Sequence, residues 1–213
     1  DGQLVRAASR GDGTIGEDIT ANAVRVIGVH RTLDQKIDCE IRGEVVMLKS
    51  DFNAYNAANP DKPLSNPRNA VSGTMRLKDT SSESAKARKL TFYAFDVIID
   101  EDPDPNVSLN DRLVGLGFTT RGYSESDNAE DVLRYIEKTE NERDGLDYEI
   151  DGVVIKIADP EKYADLGNTS KHPRGAMAMK LAAEIGESEI ESVEWAVGKT
   201  GKVTPRAKIK KMF

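Results

Sequence analysis

Ten residues constrain this chain more than any others: Tyr148-Glu149-Ile150-Asp151-Gly152-Val153-Val154-Ile155-Lys156-Ile157. The run is apolar and β-branched, has the length of a strand, and carries a lysine near its end. With the two-residue period of a strand, Val153, Ile155 and Ile157 share one face, and Gly152, Val154, Lys156 and Ala158 share the other. An ammonium group in such surroundings is costly to desolvate unless a negative charge meets it. A lysine on an edge strand also guards against aggregation, and that reading of Lys156 taken alone stays open. The pattern recurs, however. Glu44 lies inside the strand-like run 40–47, and Lys180 lies inside 176–181. Strands that each present a charge in this way point to a polyanion site on a sheet face.

The whole chain bounds what such a site can belong to. With 213 residues, 38% of them hydrophobic and 31% charged, it has the composition of a globular protein able to bury a core. One large domain, or one domain and a fragment of another, is expected. The net charge of −7 provides no global basic field, so contact with a polyanion must come from local clusters. Cys39 is the single cysteine. That excludes an internal disulfide and a cysteine metal site, and Cys39 reads as a small buried hydrophobe. His30 and His172 stand in no metal spacing. No apolar run approaches the roughly 20 residues needed to span a bilayer, and no signal peptide is visible, so a cytoplasmic location is expected. The chain opens on Asp1 and closes on Lys210-Lys211-Met212-Phe213, which reads as a piece of something longer.

Taken in order, residues 3–9 read as a strand following a turn at Asp1-Gly2. Arg10-Gly11-Asp12-Gly13-Thr14-Ile15-Gly16-Glu17-Asp18 is a glycine-rich loop, a weak signal by itself. Arg10, at a strand end beside flexible glycines, is placed to hold a phosphate or a ribose. Residues 19–26 read as a short helix. Residues 49–59 read as another, with Ser50 as its N-cap. Asn66 caps a helix whose first position is Pro67. Arg68 then sits in the first turn, where a cation opposes the helix dipole. Such a local violation often marks function, although two solvated arginines, Arg68 and Arg76, explain the pattern equally well. Residues 79–89 and 100–106 read as polar loops, 90–99 as a strong strand, 108–116 as a short helix and 118–123 as a strand. The clearest helix is 128–143, with Ala129, Val132, Leu133 and Ile136 as its apolar stripe. From Ile190 onward two strands flank the turn Gly198-Lys199-Thr200-Gly201, and the segment is locally basic. That turn is not a P-loop, because the preceding glycine and the following helix are both missing.

These pieces together resemble one family, the adenylation domain of bacterial-type NAD-dependent DNA ligases. The resemblance rests on residues 9–18, Glu40-Ile41-Arg42-Gly43-Glu44-Val45, Asn66-Pro67-Arg68-Asn69-Ala70, residues 148–156, and Val197-Gly198-Lys199-Thr200-Gly201 with Thr204-Pro205. They stand in the family's order and cover nearly the whole chain. The resemblance implies an α+β fold of the nucleotidyltransferase, ATP-grasp-like ligase kind, with antiparallel sheets flanked by helices. It implies an N-terminally incomplete adenylation domain over residues 1–187, and the first strands of an OB-fold over 188–213.

It also implies an enzyme that seals nicks between a 5′-phosphate and a 3′-hydroxyl through lysyl-AMP and DNA-adenylate intermediates, with NAD as the AMP donor and Mg²⁺ as the metal. The partner implied is nicked double-stranded DNA. Glu44 is similar to the family's ribose and metal carboxylate, and Asp151 to a second metal carboxylate. Phe95 stands where an aromatic stacks on adenine. Lys156 and Lys180 stand where lysines contact phosphate. Glu44, Asp151, Lys156 and Lys180 form the implied catalytic set. Arg10 and Arg143 join Glu44, Phe95 and the two lysines around the nucleotide, while Arg68, Arg76, Lys199 and Arg206 face DNA. Each step moves a phosphoryl group through a charged transition state, which demands cations of this kind.

The sequence departs from the family pattern at named places. It contains no Lys-x-Asp-Gly tetrapeptide, the segment that carries the family's nucleophile, so a segment or subunit bearing it is an implied partner. Gly175 replaces tryptophan, Leu181-Ala182 replace Phe-Pro after Lys180, and Asp96 replaces glycine. These departures point to a divergent member and leave a nucleoid or viral replication setting open. Two other readings stay open. One is a non-catalytic subunit or scaffold that binds nucleotide or nicked DNA. The other is an ATP- or GTP-using nucleotidyltransferase, toward which Phe95-Asp96 leans.

Overall fold

A computed structural model describes all residues except 12–14, 79–87, 100–103, 105–106, 170–171, 183–185 and 211–213. Much of the expected loops 10–18, 79–89 and 100–106 therefore lies outside the described residues. The centre of the molecule is an antiparallel pair, β1 (Cys39–Val46) and β2 (Thr91–Ile99). In β1 the even-numbered Glu40, Arg42 and Glu44 are exposed, and the residues between them turn inward, as a half-buried strand requires. The ladder runs Ile41↔Val97 and Arg42↔Asp96, then skips to Gly43↔Ala94 and Glu44↔Tyr93. Phe95 is the extra residue of a β-bulge, a device that re-aims side chains where it occurs.

The inner face of this pair carries one core cluster, in which Ala94, Leu113, Leu116 and Phe118 are buried and Ile41, Phe92 and Val97 pack against them. Leu113 comes from α4 (Leu109–Gly115), whose N-cap Ser108 accepts from the Asp111 N–H. A second cluster unites Ala23, Val26, Met47, Tyr55, Ala70, Met75 and Leu90. It joins α1 (Thr20–Ala23), α2 (Lys49–Ala58) and α3 (Pro67–Met75) to the ends of β1 and β2. Phe92 packs against both clusters and makes them continuous.

Helix starts decide the placement of the remaining parts. Asn66 caps α3 as expected, its Oδ1 accepting from the Asn69 N–H at 2.7 Å, with Pro67 at the first helical position. At α2 the expectation fails. Ser50 is not the cap; its N–H and hydroxyl both donate to the carboxylate of Asp147, at 2.8 and 2.6 Å. The Lys49 N–H donates to the Asp147 carbonyl at 2.8 Å. A carboxylate 97 residues away thus does what a local cap normally does.

α5 (Ala129–Glu142) forms where its periodicity places it, capped by Asn128. Its stripe is narrower than expected: Ile136 is buried, but Leu133 is 57% exposed. A 3₁₀ turn (Arg143–Gly145) leads toward β3 (Gly152–Lys156), so the strand occupies only the second half of the run 148–157. β3 pairs with β4 (Ala176–Lys180). Between them α6 (Pro160–Asp165) is capped by Asp159, which accepts from the Glu161 and Lys162 N–H groups. Two expected strands are absent among the described residues. Residues 3–9 make isolated bridges, Gln3↔Thr32 and Ala8↔Asp18, and 118–123 form no strand. Residues 3–9 bond to loop residues, and 118–123 meet β2 where the Ala94 N–H donates to the Thr119 carbonyl at 2.9 Å, contacts too sparse for a ladder among the described residues.

The chain divides into two units, Asp1–Met179 and Lys180–Phe213. The second is built on β5 (Ile190–Val197) and β6 (Val203–Ile209), an antiparallel hairpin with Trp195 opposite Pro205 and Val197 opposite Val203. Its turn is closed by the Gly198 N–H donating to the Lys202 carbonyl at 2.8 Å, with Gly201 at φ +79°. The chain is therefore a mixed α/β protein with antiparallel sheets, as the sequence implies.

Candidate functional site

The outer face of β1–β2 holds the site. Glu44 is the cross-strand partner of Tyr93. Tyr93 is buried although it sits on this face, because Tyr148 and Arg121 cover it. The Tyr93 and Tyr148 ring centroids are 5.8 Å apart. The Arg121 guanidinium lies 4.0 Å from the Tyr93 centroid and 4.9 Å from that of Tyr148, and it donates to the Tyr93 hydroxyl. One cation thereby fastens the beginning of the run 148–157 to β2. Arg121 was invisible to sequence reasoning, since no pattern around it marks a contact with two distant tyrosines.

The bulge gives the site its second feature. In a regular strand Phe95 and Asp96 would point to opposite faces; here both meet Lys156. The Lys156 Nζ lies 3.3 Å from Asp96 Oδ2 and 5.8 Å from the centroid of the Phe95 ring. The charged pair is partly sheltered, with 32% of the lysine side chain and 27% of the aspartate exposed. Phe95 itself is 51% exposed, an open aromatic surface beside a cation. The lysine of the organising strand therefore does meet a negative charge, as its desolvation cost requires. Gly43 makes the bulge possible. A Cβ there would stand 2.3 Å from the Phe92 ring and 2.4 Å from the Tyr93 carbonyl.

The third feature is an ion pair between Arg68, in the first turn of α3, and Asp151, the residue before β3. Asp151 chiefly holds the Arg68 guanidinium above its ordinary pKa, and Glu44 and Glu149 add to the effect through their charge. The arginine that opposes the helix dipole is thus offset by an acidic neighbourhood that includes both carboxylates assigned to metal. Among the described residues no group of three or more His, Cys, Asp or Glu side chains is gathered for a metal ion. Mg²⁺ needs fewer protein ligands: one or two carboxylates usually suffice, with substrate phosphates and water completing its shell. Glu44 and Asp151 supply that class of donor.

Arg10 is exposed after the bridge at Ala8. Arg76 pairs with Glu17 at 3.2 Å. Arg143 opens the 3₁₀ turn. Lys180 ends β4, and Lys199 and Arg206 are exposed on the hairpin of the second unit. No described helix is long and apolar enough to cross a membrane.

A mixed α/β fold with antiparallel sheets, carrying an aromatic-flanked lysine and a carboxylate-rich face, fits an adenylation domain of nucleotidyltransferase type. The family model described as "NAD-dependent DNA ligase adenylation domain" matches residues 1–184, and the chain belongs to that family. Among relatives, the chain is 44% identical over 214 residues to "DNA ligase 1" of Nocardia farcinica, a match covering 100% of this chain and 32% of that protein. It is 41% identical over 210 residues to "DNA ligase" of Natranaerobius thermophilus, covering 96% of this chain and 31% of that protein. The match to "DNA ligase" of Fusobacterium nucleatum is 39% over 218 residues, with 99% and 31% covered. The chain spans about a third of the length of the curated relatives it matches.

Proposed function

We propose that this chain is the larger part of the adenylation domain of an NAD-dependent DNA ligase. The observation that carries the reading is the position of Lys156, between the open Phe95 ring and an acidic side chain, at the end of a run whose Tyr148 is fastened by Arg121 to Tyr93, the cross-strand partner of Glu44. In this reading adenine stacks on Phe95. Glu44 accepts from the ribose, and Lys156 and Lys180 hold the adenylyl phosphate. Arg10 and Arg143 contact the outer nucleotide, and Arg68, Arg76, Lys199 and Arg206 hold DNA phosphates without reading sequence. Glu44 and Asp151 would hold Mg²⁺, which supplies positive charge to the transferring phosphoryl group when bound. The second unit is the start of an oligonucleotide-binding barrel whose basic hairpin follows the backbone.

The reaction has three transfers. A lysine attacks the adenylyl phosphorus of NAD and nicotinamide mononucleotide departs. AMP passes to the 5′-phosphate of a nick. The 3′-hydroxyl then attacks that phosphate, and AMP leaves. Cations aimed at the phosphoryl oxygens favour the charged transition states. The attacking lysine belongs to a Lys-x-Asp-Gly segment, which these 213 residues do not contain. For that reason the chain alone is inactive in self-adenylation, and a nucleotide- or nick-binding subunit is the second reading.

The test is transfer of labelled AMP from NAD to the chain, with and without a polypeptide bearing Lys-x-Asp-Gly. Label on the added polypeptide, with nicotinamide mononucleotide released, supports the ligase reading. Nucleotide binding without transfer supports the subunit reading. Label on the chain with nothing added contradicts the assignment of the nucleophile.

A further inference from the structure

The contact between Asp96 and Lys156 is not explained by a need to hold the lysine in place. Asp96 faces Arg42 across the ladder, but Arg42 is engaged by Glu40 at 2.6 Å, so the aspartate keeps its charge for the lysine. Its oxygen lies 3.3 Å from the ammonium, whose nitrogen is also 5.8 Å from the centroid of the half-exposed Phe95 ring. A phosphate oxygen bound by the same ammonium must lie within about 6 Å of that carboxylate, simply because both touch one nitrogen. At an effective dielectric near 20, like charges that close oppose binding by roughly tenfold or more. The ordering that Asp96 gives Lys156 does not offset this, because the phosphate displaces the carboxylate from the ammonium and forfeits that ion pair on binding. Repulsion therefore outweighs orientation.

We propose that Asp96 is an internal competitor for Lys156 that lowers the affinity of this site for phosphate-bearing adenylates. The inference rests on the nucleotide reading of the site given above. In the ligand-free protein the carboxylate occupies the lysine. An adenylyl phosphate must displace it, and after displacement the nearby charge continues to weaken the grip. The consequence is ready loss of AMP, the leaving group of the sealing step, from a pocket that would otherwise retain it through stacking and cation contacts together. Asp96 is thus a residue that acts through Lys156 on affinity and release, not one that touches the reacting atoms.

The experiment is calorimetric titration of the chain with AMP and with adenosine, for the wild type, Asp96→Asn, Lys156→Ala and the double variant. Asp96→Ser serves as a second, smaller replacement should the amide perturb folding. The expected result is AMP binding tightened roughly tenfold in Asp96→Asn, with adenosine binding unchanged and the gain absent in the Lys156→Ala background. AMP binding that depends on Lys156 but is unchanged or weakened by both Asp96 replacements overturns the inference while leaving the nucleotide site standing. Absence of AMP binding in every protein, wild type included, overturns the nucleotide reading itself and the inference with it.

Discussion

Arg68 and Asp151 are ion-paired although 83 residues separate them, and the pair ties the first turn of α3 to the residue before β3. Both side chains are about two-thirds exposed, 70% and 66%. Such a pair contributes little to stability, about 1 kcal/mol at most. In the ligase reading proposed above, Arg68 is a cation held at the edge of the site for the DNA backbone.

Arg68→Ala is expected to leave the unfolding free energy within about 1 kcal/mol of wild type. Binding of a nicked duplex should weaken to a similar extent for every sequence, and the slope of log affinity against log salt should fall by about one. Fluorescence anisotropy across a salt series measures both. An unchanged slope removes Arg68 from the phosphate contacts.

Gly43 has no room for a side chain, because its Cβ would collide with the Phe92 ring and the Tyr93 carbonyl. Gly43→Ala is expected to cost about 1–3 kcal/mol, the usual range for overpacking. Urea unfolding should show a lower midpoint with an unchanged slope. A neutral result means that the bulge at Phe95 is soft enough to shift.

Asp147 accepts the Ser50 hydroxyl and N–H, and these bonds hold its carboxyl below the ordinary value of 3.8; the Lys49 and Arg121 charges add to the effect. The lowered group binds its proton later in the folded state than in the unfolded one. Its contribution is therefore complete above the unfolded value and is lost as pH falls through the folded value. Wild type should melt higher than Asp147→Ala at neutral pH, and the gap should close at pH values below 3.8. Thermal scans over an acidic pH series test this. A gap that persists at the lowest pH assigns the effect to packing.

Gly175 is fitted to Tyr163, since a Cβ would stand 2.5 Å from the ring. Gly175→Ala should displace Tyr163 of α6 and destabilise the turn before β4. Near-ultraviolet circular dichroism should register a changed tyrosine environment. An unaltered spectrum with unaltered stability means that the ring swings away without cost.

What the sequence made legible was local. Asn66 and Pro67 announce the start of α3 because a cap and its helix are neighbours in the chain, and the apolar stripe that announces α5 is local in the same sense. Glu44 and Lys156 stood out because a charge breaks an apolar strand. The failures share a cause as well. Ser50 looks like a cap, but its partner is Asp147, and nothing at position 50 encodes a carboxylate 97 residues away. Leu133 fits the stripe of α5 but finds nothing to bury it. The bulge at Phe95 depends on register between two strands, which neither strand specifies alone. Asp96 was visible only as a departure from the family pattern, and its contact with Lys156 gives that departure a physical meaning.

The account stands on Phe95 and Lys156 grasping one nucleotide. The most direct measurement is an isotope-filtered NMR spectrum of the chain with bound AMP, reading nuclear Overhauser contacts from the adenine protons. Contacts to the Phe95 ring, together with shifts at the Lys156 side chain that the Lys156→Ala variant removes, are the predicted result. Adenine contacts elsewhere in the chain, with Phe95 and Lys156 undisturbed, would contradict it.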